Sequence, residues 1–355
     1  MWIQNNKPDT RLFFCDPPGT AEPSTLFNHG AEYDEEFYIT ENDYIFFHDQ
    51  EPIHLDIHKD LFNEVIKRNR DINPSPQGHI VVSEMHSDYL NKLIDIHEWE
   101  SHYYFFHGWA AMDWYRGYHR SFLLPRAKDR SPTKSFMSPN RIIGGKRDHR
   151  VLFLYHIFKN SLGHNHTTSP KICPEENIHI TDIAKKYINV YPDIIDTFND
   201  VQLPQLFENE ETQLMTSCWI TNHNESADSL FYVPTETVYF GRRWHLTEKS
   251  FKPIVLEMPF ILVAPAGSLE YLRSYGFKTF DHIIDESYDK ETDDILRLEK
   301  IAKLLTDIDK LSTKEKQQIH RHCLPIVEHN YNHFYFGNFE GILWKELTGM
   351  MQEWL

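Results

Sequence analysis

Cysteine is scarce in this chain. Its four cysteines, Cys15, Cys173, Cys218 and Cys323, are far apart in sequence. Such isolation excludes the paired spacings of zinc fingers and the framework of small disulfide-stapled domains, and it predicts free thiols in a reducing compartment. Positive charge is outnumbered, with 36 Lys and Arg against 53 Asp and Glu and a net charge of −17. That argues against generic adhesion to nucleic acid or anionic membrane, which rests on basic surface, though not against a local basic groove. No apolar run approaches the ~20 residues of a membrane span. The amino end, "MWIQNNKPDTR", has no basic-then-apolar leader pattern, so the expected setting is cytoplasmic. Also absent are a Walker phosphate loop, a Gly-x-Ser-x-Gly elbow and a Gly-x-Gly-x-x-Gly turn after a strand.

What the chain does have is core-forming material: 355 residues, 40% hydrophobic and 14% aromatic, enough for one large or two medium domains. "RLFFCD", "DYIFFHD", "GHIVVSE" and "HYYFFHG" read as buried strands, the first three ending in the acids Asp16, Asp49 and Glu84. Helical spacing follows the third at Leu90, Leu93, Ile94 and His97, and "WAAMDWYRGY" follows the fourth. Strands alternating with helices predict an α/β fold with parallel sheets. The segment 124–147 is basic and rich in Pro, Ser and Gly, and marks a domain boundary. "HRVLFLYHIFKNSL" then reads as a helix, followed by strand-like "LMTSCWI", "LFYVP" and "PFILVA". A helix over about Asp293–Leu311 shows apolar residues at Ile295, Leu298, Ile301, Leu305 and Ile308, and Ser312 with Glu315 fits a capping box opening another. The expected domains are 1–135, 136–325 and a terminal helix over 326–355 that packs back on the first.

One local pattern carries chemistry. Thr247 suits an N-cap, which places Glu248 and Lys249 in the first turn of a helix. Free N–H groups and a lysine at a helix start suit a diphosphate, and an adjacent carboxylate suits a ribose diol. An ordinary polar helix start would read the same way. The stretch "HLTEKSFKPIVLEMPFILVAPAGSLEYLRSYGFKTF", with Thr247-Glu248-Lys249, Pro259-Phe260 and Gly276-Phe277-Lys278-Thr279-Phe280, resembles the C-terminal motif of glycosyltransferases related to the fucosyltransferases. Asn140-Arg141 and His149-Arg150 resemble a second element of that group. The likeness covers about 50 residues plus the short upstream piece. It implies a GT-B architecture, two Rossmann-like domains facing a cleft, with a nucleotide-diphosphate sugar as donor substrate and no further cofactor.

On this reading Asn140, Arg141, Arg147, Arg150, Arg243, Thr247, Glu248 and Lys249 bind the donor. Arg141, Lys146, Arg147, Arg150 and Lys249 would stabilise the leaving diphosphate without metal, with Gly144 and Gly145 letting backbone approach it. The one Asp-x-Asp, at Asp307 and Asp309, falls in a helix and reads as its solvated face. A general base is expected from the first half, either Asp49 or Glu51, with Asp113, near His107, next in order. Strand-end acids also serve as helix caps. Of the histidine motifs, His97 and His102 miss the zinc-protease spacing, and none of the others is completed by Cys, Asp or Glu in sequence, so no metal is expected. The functional expectation is an inverting, metal-independent glycosyltransferase, hexosyl- or fucosyltransferase-like, acting on a carbohydrate hydroxyl. Alternatives are a transferase acting on modified bases in DNA, with the basic segment as its groove, and an inactive sugar- or nucleotide-binding module.

Overall fold

The computed structural model describes residues 47–55, 62–63, 66, 78–120, 124–207, 219–220 and 224–352, and the backbone of 11–15, 23–24, 44–46 and 223. It is a mixed α/β protein with small, mainly parallel sheets. The chain divides into two compact units. Unit 1 comprises Met1–Trp109, Arg242–His245 and Gly341–Leu355, and unit 2 comprises Ala110–Gly241 and Leu246–Glu340. No described helix is long and apolar enough to cross a membrane.

Unit 1 holds strands β1 (Arg11–Cys15), β2 (Pro23–Ser24), β3 (Tyr44–His48), β4 (Gly78–Val82) and β5 (Glu100–Tyr103) in the order β2-β1-β3-β4-β5. All neighbours are parallel except β1 and β2. Helix α1 (Asp88–His97) is capped by Ser87, whose Oγ accepts the N–H groups of Tyr89 and Leu90. Leu90 and Leu93 on its inner face pack with Ile80, Val82, Ile53, Phe62 and Trp99. The opposite face of β4 buries Val81 against Met350 and Leu347. β5 is shorter and earlier than "HYYFFHG" suggests. The Tyr104 N–H still bonds the Val82 carbonyl, where β4 ends, but the Phe105 N–H turns to Glu346 Oε1 at 2.7 Å. Helix α2 then begins at Phe106 and runs to Tyr115.

Unit 2 is built on β6 (Lys134–Ser138), β7 (His166–Thr167) and β8 (Ser229–Tyr232), parallel in the order β7-β6-β8. The "PFILVA" stretch lies parallel beside β8 as separate bridges at Tyr232–Phe260 and Thr235–Val263. Pro234 and Pro259 remove ladder donors there, which leaves alternate bonds instead of a continuous strand. Of the strand expected over Leu214–Ile220, only the last two residues are described, and they are irregular.

Helix α3 (His149–Lys159) is buried from His149 to Ile157, with the apolar run Val151–Leu154 at its centre and the polar His149 and Arg150 enclosed at its start. Three short helices follow, α4 (Ile180–Ala184), α5 (Ile194–Asn199) and α6 (His223–Asp228). After them come α7 (Glu248–Val255), α8 (Ser268–Ser274), α9 (Asp294–Asp309), α10 (Thr313–Tyr335) and α11 (Phe339–Gln352). The capping box at Ser312 and Glu315 is present. Asp309 departs from the solvated-face reading: it accepts Ser135 Oγ at 2.6 Å and Asn165 Nδ2 at 2.9 Å, tying α9 to β6. Its companion Asp307 does face solvent, paired with Lys303 and Lys310.

The terminal helix expected from 326 begins instead at Phe339, because α10 continues through Pro325 to Tyr335. The chain breaks between the two at Gly337, where a Cβ would sit 2.7 Å from the His333 Cα. That contact is backbone and cannot swing away. Gly337→Ala should therefore destabilise the protein by roughly 1–3 kcal/mol, the usual cost of overpacking, as read by urea unfolding. An unchanged unfolding midpoint would show that the turn tolerates a side chain.

Candidate functional site

In unit 2 the Thr247-Glu248-Lys249 element opens α7, and Thr247 is its N-cap, accepting the Lys249 N–H. What holds it there is a residue that the sequence reading passed over. Glu236 follows β8 and is fully buried. Its carboxylate accepts the Thr247 N–H at 3.2 Å, Thr247 Oγ1 at 2.6 Å, Ser250 Oγ at 2.6 Å and the Thr237 N–H at 3.2 Å. A carboxylate out of water is tolerable only when donors replace its hydration, and here four do. Glu236 thus locks the end of β8 to the first turn of α7. Its signal was available, since it stands just past a buried strand, as Asp49 and Glu84 do.

Lys249 spends its three hydrogens on three oxygens: Glu248 Oε1 at 2.8 Å and the hydroxyls of Thr237 and Thr247, each at 3.2 Å. Its side chain keeps 28% of its exposure while that of Glu248 keeps 7%. Glu248 is thus enclosed and ion-paired. Lys249 remains the solvent-facing member.

Arg150, at the start of α3, is buried. It donates to the carbonyls of Ile142 at 2.8 Å, Thr235 at 2.9 Å and Glu236 at 3.1 Å. Burial, then the nearby Arg147, pushes its pKa down to about 9, so it stays charged at neutral pH, with Glu236 and Glu248 supporting that charge. His149 donates from Nε2 to the Glu236 carbonyl at 3.1 Å and stacks on Tyr239. Burial, then Arg150, holds it well below the ordinary histidine range and so neutral.

Asn140 is also enclosed. Its side chain bonds Ser138 and accepts Thr235 Oγ1 at 2.9 Å, and its N–H meets Thr168 Oγ1 at 2.6 Å. It fastens the loop after β6 to the loop after β8. Arg141 is half-buried, and Arg147 is half-buried within 3.5 Å of Glu175. The glycine turn differs from the expected phosphate cradle, because the Glu176 carboxylate occupies the space over Gly144, 1.4 Å from where a Cβ would stand.

Unit 1 holds the remaining candidates except Asp113, which lies in unit 2. Asp49 follows β3, is buried, and accepts a short hydrogen bond from Tyr104 Oη. Burial raises its pKa to about 6, against the lowering effect of Tyr104. Its loop is held by neighbours on three sides. His107 Nε2 donates to the Gln50 carbonyl at 2.8 Å, Glu84 accepts the Ile53 N–H at 3.2 Å, and Arg243 reaches the Ile53 carbonyl at 3.3 Å. Glu51 in that loop is half-buried. Asp113 is exposed on α2 and paired with Arg116 at 3.1 Å. Asp16 lies outside the described residues.

Arg243 is corrected from a donor-site cation to a buried one. Its guanidinium lies 3.4 Å from Glu84 and 3.8 Å from the centre of the Tyr89 ring. Glu84 in turn accepts Ser87 Oγ, and burial raises its pKa. Around Arg243 the segment Arg242–His245 docks by backbone bonds between Met85 and Trp244 and from the Asp88 N–H to the Arg242 carbonyl. Two further steps along the chain stands Thr247.

Two outcomes are expected from these geometries. Thr247→Ala removes the cap and a donor to Glu236, and should cost ~1–2 kcal/mol in urea unfolding; a neutral change would mean that Glu236 holds the turn without it. For Asp49 the folded pKa lies above the unfolded value, so the folded state binds the extra proton. Its contribution is full below about pH 4 and is lost as pH rises through about 6. Asp49→Asn should therefore gain stability relative to wild type across that window, on the order of 3 kcal/mol. Parallel stability–pH curves for the two proteins would contradict a raised carboxyl. No protein-family model, curated protein or solved structure matches this chain.

Proposed function

We propose that the protein is a glycosyltransferase that moves a sugar from a nucleotide-diphosphate donor to a carbohydrate hydroxyl by inversion, without a catalytic metal. The two units are read as the two Rossmann-like domains of a GT-B enzyme. The observation that carries the proposal is the built helix start in unit 2. A lysine ammonium, half exposed, is held at the first turn of α7 beside a carboxylate, on a cap that Glu236 locks in place. That arrangement fits the resemblance around residues 247–280, and it fits the chemistry. Glycosyl transfer places charge on a departing diphosphate, which needs fixed positive groups where no metal serves.

The roles follow from exposure. Lys249, Arg147 and Arg141 face outward enough to meet phosphate, whereas Arg150 supports them from beneath as a buried charge. Glu248 is assigned the ribose diol, which it reaches by releasing Lys249 to the diphosphate. Asp49 is assigned the general base. A carboxylate with a pKa near 6 is mostly ionised at neutral pH yet basic enough to take a proton from a sugar hydroxyl as its oxygen attacks. Tyr104 and the three-sided hold on its loop keep the carboxylate in one place.

Donor titration and initial rates on single variants test the assignment. Lys249→Ala should reduce turnover more than donor affinity, since leaving-group charge grows toward the transition state. Glu248→Ala should chiefly weaken donor binding. Each should cost on the order of 1.5–3 kcal/mol. Chelators should leave donor turnover intact. If neither variant alters binding or rate, the pair is only a helix start, and an absolute metal requirement would remove the proposed leaving-group chemistry.

A further inference from the structure

The parallel register of β4 and β5 sets His79 opposite Glu100 and Val81 opposite His102. Side chains alternate along a strand, so His79, Glu100 and His102 share one face of the sheet. They converge there. His79 Nδ1 lies 3.0 Å from His102 Nε2 and 3.5 Å from Glu100 Oε2, and the three donor atoms all fall within 4.8 Å of one another. His102 is buried, His79 half-buried and Glu100 exposed.

We infer that His79, Glu100 and His102 form a binding site for a divalent transition metal, zinc by chemistry. Donors bound to a tetrahedral zinc at 2.0–2.1 Å stand about 3.3 Å apart, and the two shortest separations here bracket that value. Two imidazoles and one carboxylate are the ligand class zinc takes, and three protein ligands leave a fourth position for water on the exposed Glu100 side. A single Nδ1–H on His79 can serve only one partner well, yet both a ring nitrogen and a carboxylate oxygen approach that atom. Such convergence on one point suits a cation better than it suits a chain of hydrogen bonds.

Location distinguishes this site from the proposed chemistry. It sits toward the amino end of β4 and along β5, whereas Asp49 and Glu84 follow the carboxyl ends of β3 and β4. β5 is the edge strand of its sheet and only four residues long. A metal bridging His79 to Glu100 and His102 clamps that edge. The site is therefore a clamp on the sheet edge. The sequence concealed it, because His79 lies far from the other two and only the strand register unites them.

Metal-free protein titrated with Zn2+ alone and with Co2+ alone tests the site. Wild type should bind one equivalent that His79→Ala lacks, and the cobalt form should show the visible absorption of a four-coordinate ion. Glu100→Gln changes an exposed side chain and should fold as wild type in chelator, yet bind zinc weaker by roughly tenfold or more. Zinc should raise the Tm of wild type and not that of His79→Ala. Equal zinc stoichiometry and affinity in wild type and both variants would assign the binding to other histidines and overturn the proposal, as would a cobalt spectrum unchanged by either substitution. None of these readouts depends on glycosyl transfer.

Discussion

The carboxylate of Glu236 is the constraint on which the candidate site of unit 2 depends. A carboxyl group with no exposure is tolerable only where hydrogen bonds replace water, and each of its four donors fixes something else. Two come from Thr247, the N-cap of α7; one comes from Ser250 in its first turn; one comes from the backbone of Thr237. The backbone carbonyl of the same residue accepts Arg150 and His149 from the start of α3. One residue thus joins the carboxyl end of β8 to the amino ends of two helices. The charges of Arg147, Arg150 and Lys249 are brought to one region by that junction, not by their own contacts with each other.

Among the described residues of unit 1, Asp49 and Glu84 are buried carboxylates whose partners differ. Glu84 meets a guanidinium, a hydroxyl and a backbone N–H, and its bonds knit Arg243, Ser87 and Ile53 into one cluster. Truncating one partner of such a pair strands the other charge, so the cluster is costly to alter and cannot readily change its bonds during a reaction. Asp49 has a neutral hydroxyl as its side-chain partner, and burial leaves its proton affinity near the working range of an enzyme. Burial raises the proton affinity of both acids, and what differs is the partner: a guanidinium at Glu84, a neutral hydroxyl at Asp49.

Much of this was legible in the residues. The apolar periodicity of α1, the apolar run in α3, the capping box of α10 and the cap at Thr247 are local features, and local rules describe them well. What was not legible depends on pairing at a distance. Arg243 reads as a free cation beside an aromatic until β4 and α1 bring Glu84 and Tyr89 to it. Asp309 reads as a surface acid until Ser135 and Asn165 meet it. The glycines at 144 and 145 suggest a phosphate cradle, and only folding shows a carboxylate over them. Length misled as well: α10 passes through Pro325, a residue that usually ends a helix, and Gly337 rather than proline makes the break.

The state of Lys249 bears on how a diphosphate would be held under the proposed reading. Its ammonium already makes three hydrogen bonds, one of them to a carboxylate. A phosphate oxygen must therefore exchange with Glu248 or share the lysine with it, so ground-state binding gains little net charge pairing. As the glycosidic bond breaks, negative charge on the diphosphate grows while that on Glu248 stays constant, and the balance of attraction shifts toward the leaving group. Under that reading the exchange consumes binding energy in the ground state, so the lysine would act chiefly as leaving-group charge grows. Arg150 adds to the effect without competing for ligand, since its terminal nitrogens are bound to carbonyls and its charge is felt through a buried, poorly screened path. Under the proposed reading, the acid beside the lysine would hold it in position when no donor is bound and would release it to the diphosphate as Glu248 turns to the ribose diol.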